Sequence, residues 1–410
     1  MAIYPVKVGC TGGTPGPCSI ARKSNGEYWV AYTWVSPAGI NYVIVDFSTD
    51  VGATWTNSLI ITDPLGVINY FTGSLAFDST DKLHLAYTID LGVAAPIRYF
   101  MGYRTMVNGA PWSAESVISG GSIPIPDGHG RWGTLAIDSL DRIHLAYNAM
   151  LWAGTWGVYY RLGLPSGAWG AVETVHSVVA NPGCTSGPSL AIDALNVPHV
   201  AWDGLNYPPF GFVFSVKYNN RAGGAWGAQE SIGAGAGDSY MTPSIVIDAA
   251  GIVHCVLETP LWSPYARYRR RDAGVWLGMI TPTTPRDGHS PSIALNELDD
   301  IHVFTTDVLG GPGSLYVTKA PLGDWSSPWV DSAIIPGWIA GTSTLHKLWP
   351  LVHGARTNSP LAGYIASYVS SPDVGVSWDV LFDNDPVTWP VIVPPVDIRG
   401  KHYAYGRAEL

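Results

Sequence analysis

Three features of the sequence predict an all-β fold, a seven-bladed β-propeller of four-stranded antiparallel blades. The first is a recurring pair of short alternating segments. It reads SLAFDSTDKLHLAY from Ser74, TLAIDSLDRIHLAY from Thr134, SLAIDALNVPHVAW from Ser189, SIVIDAAGIVHCVL from Ser244 and SIALNELDDIHVFT from Ser292. A fainter copy, SIARKSNGEYWVAY, begins at Ser19. Each copy is an apolar alternation, a polar turn and a second alternation, the pattern of a half-buried hairpin. The second feature is a turn ending in Trp at positions 55, 112, 169, 226, 276, 325 and 378, spaced by 57, 57, 57, 50, 49 and 53 residues. The third is composition: 47 Gly and 32 Pro in 410 residues supply many turns, and no long stretch carries a helical period. Seven units of roughly 50 residues, each with four short strands, fit radial repetition.

The elements follow in order within each unit. Strand a is the SLAID-type segment and strand b the IHLAY-type segment, joined by a turn that opens with Asp78, Asp138, Asp193 or Asp248. Asp in this place caps turn amides. Strand c precedes the Trp-ending turn, and strand d follows it, as in ESVIS at 115–119 and ETVHS at 173–177. The strands run a to d from the channel outward. His84, His144, His199, His254 and His302 repeat at one place of strand b. A residue repeated around the array serves the array, so these histidines are expected to bond a neighbouring strand or turn rather than hold a metal. No metal or cofactor is expected. The array spans residues 1–390. The tail, 391–410, closes the ring, docks on its side or forms an interface, and is the candidate contact for self-assembly.

Composition excludes several classes. A net charge of −10 with 22 Lys and Arg argues against a nucleic-acid partner, which requires clustered cations. No apolar run is long enough for a membrane span. The start, MAIYPVKVGC, shows no secretory signal. With the acidic, Trp-rich composition, this suits an extracellular or virion-associated protein released by lysis. Four cysteines are too few for a disulfide scaffold. Cys10 and Cys18 are near enough in sequence to pair, and buried free thiols are the ordinary expectation for the rest.

Two of the Trp-ending turns read Ser-x-Asp-x-Gly-x-x-Trp: Ser48, Asp50, Gly52, Trp55 and Ser371, Asp373, Gly375, Trp378. This resembles the Asp-box, or bacterial neuraminidase repeat, of the sialidase superfamily of propellers. The resemblance implies the fold, because in that family the boxes lie on the face away from the ligand. The family's first catalytic arginine precedes the first inner strand, where this chain has Gly16-Pro17-Cys18. A second resemblance is to seven-bladed polysaccharide lyases such as ulvan lyases, whose inner strands follow an Asp-x-His-Asn-x-Pro type motif. Asp287-Gly288-His289-Ser290-Pro291 is similar, and Asp127-Gly128-His129 is a partial copy. The family's second His near the end of strand b corresponds to Asn148-Ala149-Met150 here. That resemblance implies His129 or His289 as base, Tyr240 as acid, and Arg131 or Arg286 as neutraliser of a uronate carboxylate.

Function is expected where the repeat is broken. The d-to-a and b-to-c connections share one face around the channel mouth. The d-to-a connections carry His129, Arg131, Tyr240, Arg286 and His289. The b-to-c connections carry Trp34, Trp152, Trp156, Tyr207, Trp262 and Tyr265, beside the acids Asp90, Asp203, Glu258 and Asp307. Aromatic faces stack on sugar rings, and charged groups bond the hydroxyls. The expected function is glycan recognition at this face. The alternatives are a lyase or a two-carboxylate glycoside hydrolase acting on an acidic polysaccharide, and a structural assembly module without a small ligand.

Overall fold

A computed structural model describes residues 14–35, 40–49, 55–63, 68–91, 99–107, 109–119, 129–151, 155–178, 187–206, 213–233, 241–259, 266–282, 289–295, 301–307, 314–319, 330–335, 343–345, 351–356, 367–371, 379–383 and 403–409. The described residues are almost wholly β, with a single 3-10 turn at Ala222–Gly224. Six sheets are four-stranded and follow chain order. The first holds β1 (Thr14–Arg22), β2 (Tyr28–Val35), β3 (Asn41–Ser48) and β4 (Thr56–Ile61). The second holds β5 (Asn69–Phe77), β6 (Lys82–Asp90), β7 (Tyr99–Val107) and β8 (Ser116–Val117). The third holds β9 (His129–Ile137), β10 (Ile143–Leu151), β11 (Thr155–Gly163) and β12 (Glu173–Val178). The fourth holds β13 (Ser189–Ile192), β14 (Pro198–Asn206), β15 (Val213–Asn220) and β16 (Glu230–Gly233). The fifth holds β17 (Met241–Ile247), β18 (Val253–Glu258), β19 (Ala266–Asp272) and β20 (Val275–Trp276). The sixth holds β21 (His289–Leu295), β22 (Ile301–Asp307), β23 (Ser314–Lys319) and β24 (Val330–Ile335). Strands a, b, c and d of each repeat are thus successive members of one antiparallel sheet.

The last sheet departs from the expected pattern. It has five strands in the order β25 (Ser343–Leu345), β26 (Leu351–Arg356), β29 (Tyr403–Glu409), β27 (Ser367–Ser371) and β28 (Asp379–Asp383). The C-terminal strand runs parallel to β26 and antiparallel to β27. The C-terminal strand YAYGRAE stands between β26 and β27 of this sheet.

The chain forms two compact units. One comprises Met1–Thr62, Ser263–Tyr268 and Met279–Leu410, and the other Asp63–Trp262 and Arg269–Gly278. Within the first, β1 lies beside β25, β26 and β29, and β21 beside β25. Within the second, β5 lies beside β9, β9 beside β13, and β13 beside β17. Consecutive sheets of the second unit therefore stack through their a strands.

The core of the second unit lies in the seams between these sheets. Ala86, Met101, Tyr103 and Ile118 of the second sheet bury against Leu135, Leu145, Tyr147 and Tyr159 of the third. Ala146, Val158, Tyr160 and Val175 of the third bury against Leu190, Val200 and Trp202 of the fourth. Strand-a hydroxyls link the same neighbours: Thr134 Oγ1 donates to the Pro188 carbonyl at 2.6 Å, and Ser189 Oγ accepts from Ile245 N at 3.0 Å. At the innermost seam the backbones come so close that only glycine fits at position 73. A Cβ there would lie 2.8 Å from the Gly133 carbonyl oxygen and 2.9 Å from that of Ala86.

The a-to-b turns are clipped together in the same order. Asp141 (φ 57°) and Asn196 (φ 64°) hold the left-handed conformation that short polar side chains tolerate. Asp141 accepts from Ser79 N and Oγ of the preceding turn at 2.7 and 2.6 Å, and Asn196 accepts from Ser139 N and Oγ at 3.0 and 2.9 Å. At the fifth sheet the equivalent residue is Gly251 (φ 82°), which keeps the conformation without the clip.

Candidate functional site

Two sets of polar side chains stand out. The first is the repeated histidine. His84, His144, His199 and His254 are all buried, and the Nε2 of each faces Oδ2 of Asp78, Asp138, Asp193 and Asp248 at 3.1, 3.0, 3.4 and 3.1 Å. The other carboxylate oxygen caps the turn. Asp138 Oδ1, for example, accepts from the amides of Leu140 and Arg142 at 2.9 Å each. In three sheets Nδ1 meets a tyrosine hydroxyl of strand c: Tyr103 at 2.5 Å, Tyr160 at 2.8 Å and Tyr218 at 2.5 Å. An ionised carboxylate only accepts, so Nε2 carries the proton and Nδ1 accepts from the phenol. Burial lowers the pKa of His84, His144 and His199 against the pull of their aspartates. Burial likewise raises the phenols, that of Tyr218 to about 12. The imidazoles of His84, His144 and His199 are thus neutral structural links. The Trp of the next sheet completes each set edge-on: Trp169 on Tyr103, Trp226 on Tyr160 and Trp276 on Tyr218, with ring centroids 5.1–5.2 Å apart. The turn tryptophans therefore hold the neighbouring sheet as well as their own turn.

The second set lies at the other end of strand b. Strand-a residues Ser19, Ser74, Thr134, Ser189 and Ser244 pair with Ala31, Ala86, Ala146, Ala201 and Val256. Two residues further along, on the same side of the strand, stand Thr33, Thr88, Asn148, Asp203 and Glu258, at 1%, 2%, 0%, 0% and 8% exposure. Five sheets thus bury a polar side chain at one register position inside an apolar ladder. The series changes along the chain from Thr through Asn to the acidic residues Asp and Glu. Burying such groups is costly unless they are bonded, so this position carries a constraint that packing alone does not impose. Sequence reasoning singled out Asp203 and Glu258, met Asn148 only as the counterpart of the lyases' second His, and passed over Thr33. Neither Thr88 nor Asn148 was read as part of a repeated polar position. The signal for the last two was present: each lies four residues after the strand-b histidine.

The structure moves several predicted site residues out of the connections and onto strands. Trp34 is half-buried near the end of β2. Asp90 and Asp307 are the last residues of β6 and β22, Glu258 is the last of β18, and Asp203 lies mid-strand in β14. Strand pairing continues through Asp90, Asp203, Glu258 and Asp307, so the ladders extend further than the hydrophobic segments suggested. His129 and His289 are the first residues of β9 and β21, and Arg131 and Trp156 also lie on strands. The third sheet brings three of these together. His129 and Trp156 both pair with Met150, and Arg131 pairs with Asn148. His289 pairs with Thr306, and Asp307 with Ser314. Trp152, Tyr207, Tyr240, Trp262, Tyr265 and Arg286 lie outside the described residues, as do Cys10 and the centres of both Asp-box turns. Among the described residues no group of acidic, His or Cys side chains has the arrangement of a metal site, and Cys255 is a buried free thiol.

This architecture has solved counterparts. An ulvan lyase of polysaccharide lyase family PL25, bound to -[GlcA(1-4)Rha3S]-, superposes with a TM-score of 0.60 at 11% identity, covering 82% of this chain and 88% of that one. The chain shares its fold. A protein of unknown function from Dyadobacter fermentans superposes with a TM-score of 0.52 at 14% identity, over 80% of this chain and 94% of that one. The polysaccharide lyase Uly1 does so at 0.50 and 11% identity, over 84% and 87%. No protein-family model and no curated protein matches the sequence. The likeness is one of β-propeller architecture, shared with carbohydrate-active proteins.

Proposed function

We propose that the chain is a seven-bladed propeller that binds an acidic glycan at the end of the sheets where strands b finish and strands a begin. The observation that carries this reading is the row of buried polar residues at that end, Thr88, Asn148, Asp203 and Glu258. They form a buried polar row towards the ends of strands b, from which the b-to-c connections leave. Those connections supply Trp152, Tyr207, Trp262 and Tyr265 for stacking, and Tyr240 and Arg286 for polar contacts. His129, Arg131 and Trp156 lie at the strand ends of the third sheet, and His289 begins β21 of the sixth. Fold likeness to lyases of uronate-containing chains supports the class of ligand.

A second reading, β-elimination, is favoured by the register of the third sheet. His129 and Arg131 are alternate residues at the start of β9, a candidate base and a candidate cation two positions apart. A glycan array, run with an absorbance assay for unsaturated products on acidic polysaccharides, separates the two. Binding without turnover is the expected result. His289→Ala and Trp262→Ala should each weaken binding about tenfold, the loss expected for one stacking or charged contact. Unchanged binding in both variants would place the site elsewhere.

A further inference from the structure

The outer part of the seam between the third and fourth sheets carries a cluster that neither the repeat nor the proposed glycan site uses. The residue before the histidine-bound tyrosine is Gly102 in the second sheet, Tyr159 in the third and Lys217 in the fourth. Lys217 places a positive charge there, as Arg267 before Tyr268 does in the fifth sheet, where its guanidinium donates to Thr281 Oγ1. It sits in one cross-strand row, paired with Trp202 on β14 and with Ser231 on β16. Its ammonium donates to Ser231 Oγ at 3.2 Å, and no carboxylate of the described residues pairs with it. His176, on β12 of the third sheet, faces the same seam, its ring 5.3 Å from that of Trp202 and inclined by 30°. It has no side-chain hydrogen bond among the described residues. Behind this pair, the fully buried Trp202 Nε1–H and the buried Ser215 hydroxyl also lack partners among the described residues.

Two basic groups, two hydroxyls and an indole N–H thus converge on one seam with nothing negative among them. In a chain of net charge −10, two arginines of the same unit are matched by carboxylates: Arg221 grips Glu173 at 2.7 and 2.9 Å, and Arg271 grips Glu230 at 2.8 and 2.7 Å. We propose that Lys217, His176 and Ser231, backed by Trp202 Nε1 and Ser215 Oγ, form an oxyanion site that takes a sulfate or carboxylate group. Every group named donates a hydrogen bond, and an oxyanion accepts them all. Burial and mutual repulsion lower the pKa of His176, and burial lowers that of Lys217. A bound anion would reverse both shifts.

The site is independent of the glycan-binding end, and its test is a separate one. The melting temperature of the full chain is measured in sodium sulfate, sodium acetate and sodium chloride at matched ionic strength. Binding of a sulfated carrageenan oligosaccharide is measured in parallel. Sulfate at five times its Kd should raise the melting temperature by about 1–2 °C over chloride. Lys217→Met should weaken sulfate binding about tenfold or more, His176→Gln and Trp202→Phe less, and Lys217→Arg should retain it. The His176 ring resonances should titrate at higher pH in sulfate than in chloride. If the oligosaccharide also binds and Lys217→Met weakens it, the anion is carried by a glycan. If sodium sulfate alone is affected, the site takes a free anion. Equal behaviour of sulfate and chloride, or an undiminished sulfate effect in a folded Lys217→Met protein, would overturn the proposal.

Discussion

Replacing Asp138 with Ala tests whether the repeated Asp-His-Tyr sets hold the sheets together. The Asp138 carboxylate accepts from Leu140 N, Arg142 N and Arg142 Nε in the turn, and from His144 Nε2 at 3.0 Å. The turn donors can turn to water, since Leu140 is exposed and the Arg142 side chain is 30% exposed. The imidazole, 1% exposed, has no such exchange. An unsatisfied buried donor costs about 1–3 kcal/mol, and bonds to a charged acceptor contribute about 1.5–3 kcal/mol each. With water recovering most of the turn bonds, Asp138→Ala should lose about 3–4 kcal/mol. Asp138→Asn should lose only about 1–2 kcal/mol, because the imidazole can change tautomer, accept from the amide and donate to Tyr160. The measurement is chemical denaturation followed by Trp fluorescence, with Trp226 reporting from its contact with Tyr160. A loss below about 1 kcal/mol in Asp138→Ala, or equal losses in the two variants, would refute the reasoning. The pH profile adds a sign. Burial raises the Asp138 pKa, but the bonds from His144, Arg142 and the turn amides together hold it below the ordinary value of 3.8. Burial lowers His144 below 6.5. Both groups bind more protons when unfolded, so their stabilisation is complete above pH 6.5 and falls with acid, first through the histidine and then through the carboxylate.

Two further outcomes are expected. Gly73→Ala should destabilise by about 3 kcal/mol or more, because its Cβ would strike two backbone carbonyls. Gly133→Ala should cost less, since the nearest obstacle is the flexible end of Met101; thermal melting of the two variants checks the order, and the reverse order would contradict the seam packing. The Cys255 thiol, fully buried and raised well above its ordinary range by that burial, should stay unreactive towards a thiol reagent in native protein and react only on unfolding.

The sequence by itself determined the period, the hairpins and the turns. Alternation, an Asp at the start of each turn and a His six residues later are local patterns. The contacts they produce, such as Asp138 to Leu140 and His144, span six residues or fewer and form wherever the hairpin forms. The bonding of His84, His144, His199 and His254 to their turns was readable for the same reason. Tertiary structure decided everything that joins one sheet to the next. Trp226 meets Tyr160, Asn196 meets Ser139, and Lys217 faces His176 only because neighbouring sheets stack at one register. These partners lie 41 to 66 residues apart, and no local propensity encodes which face of a strand a given neighbour will cover. The same physics placed Asp203 and Glu258 on buried strands rather than in connections. A carboxylate at the end of an alternating segment reads as a loop residue until the next sheet covers it and requires its bonds to be made inside.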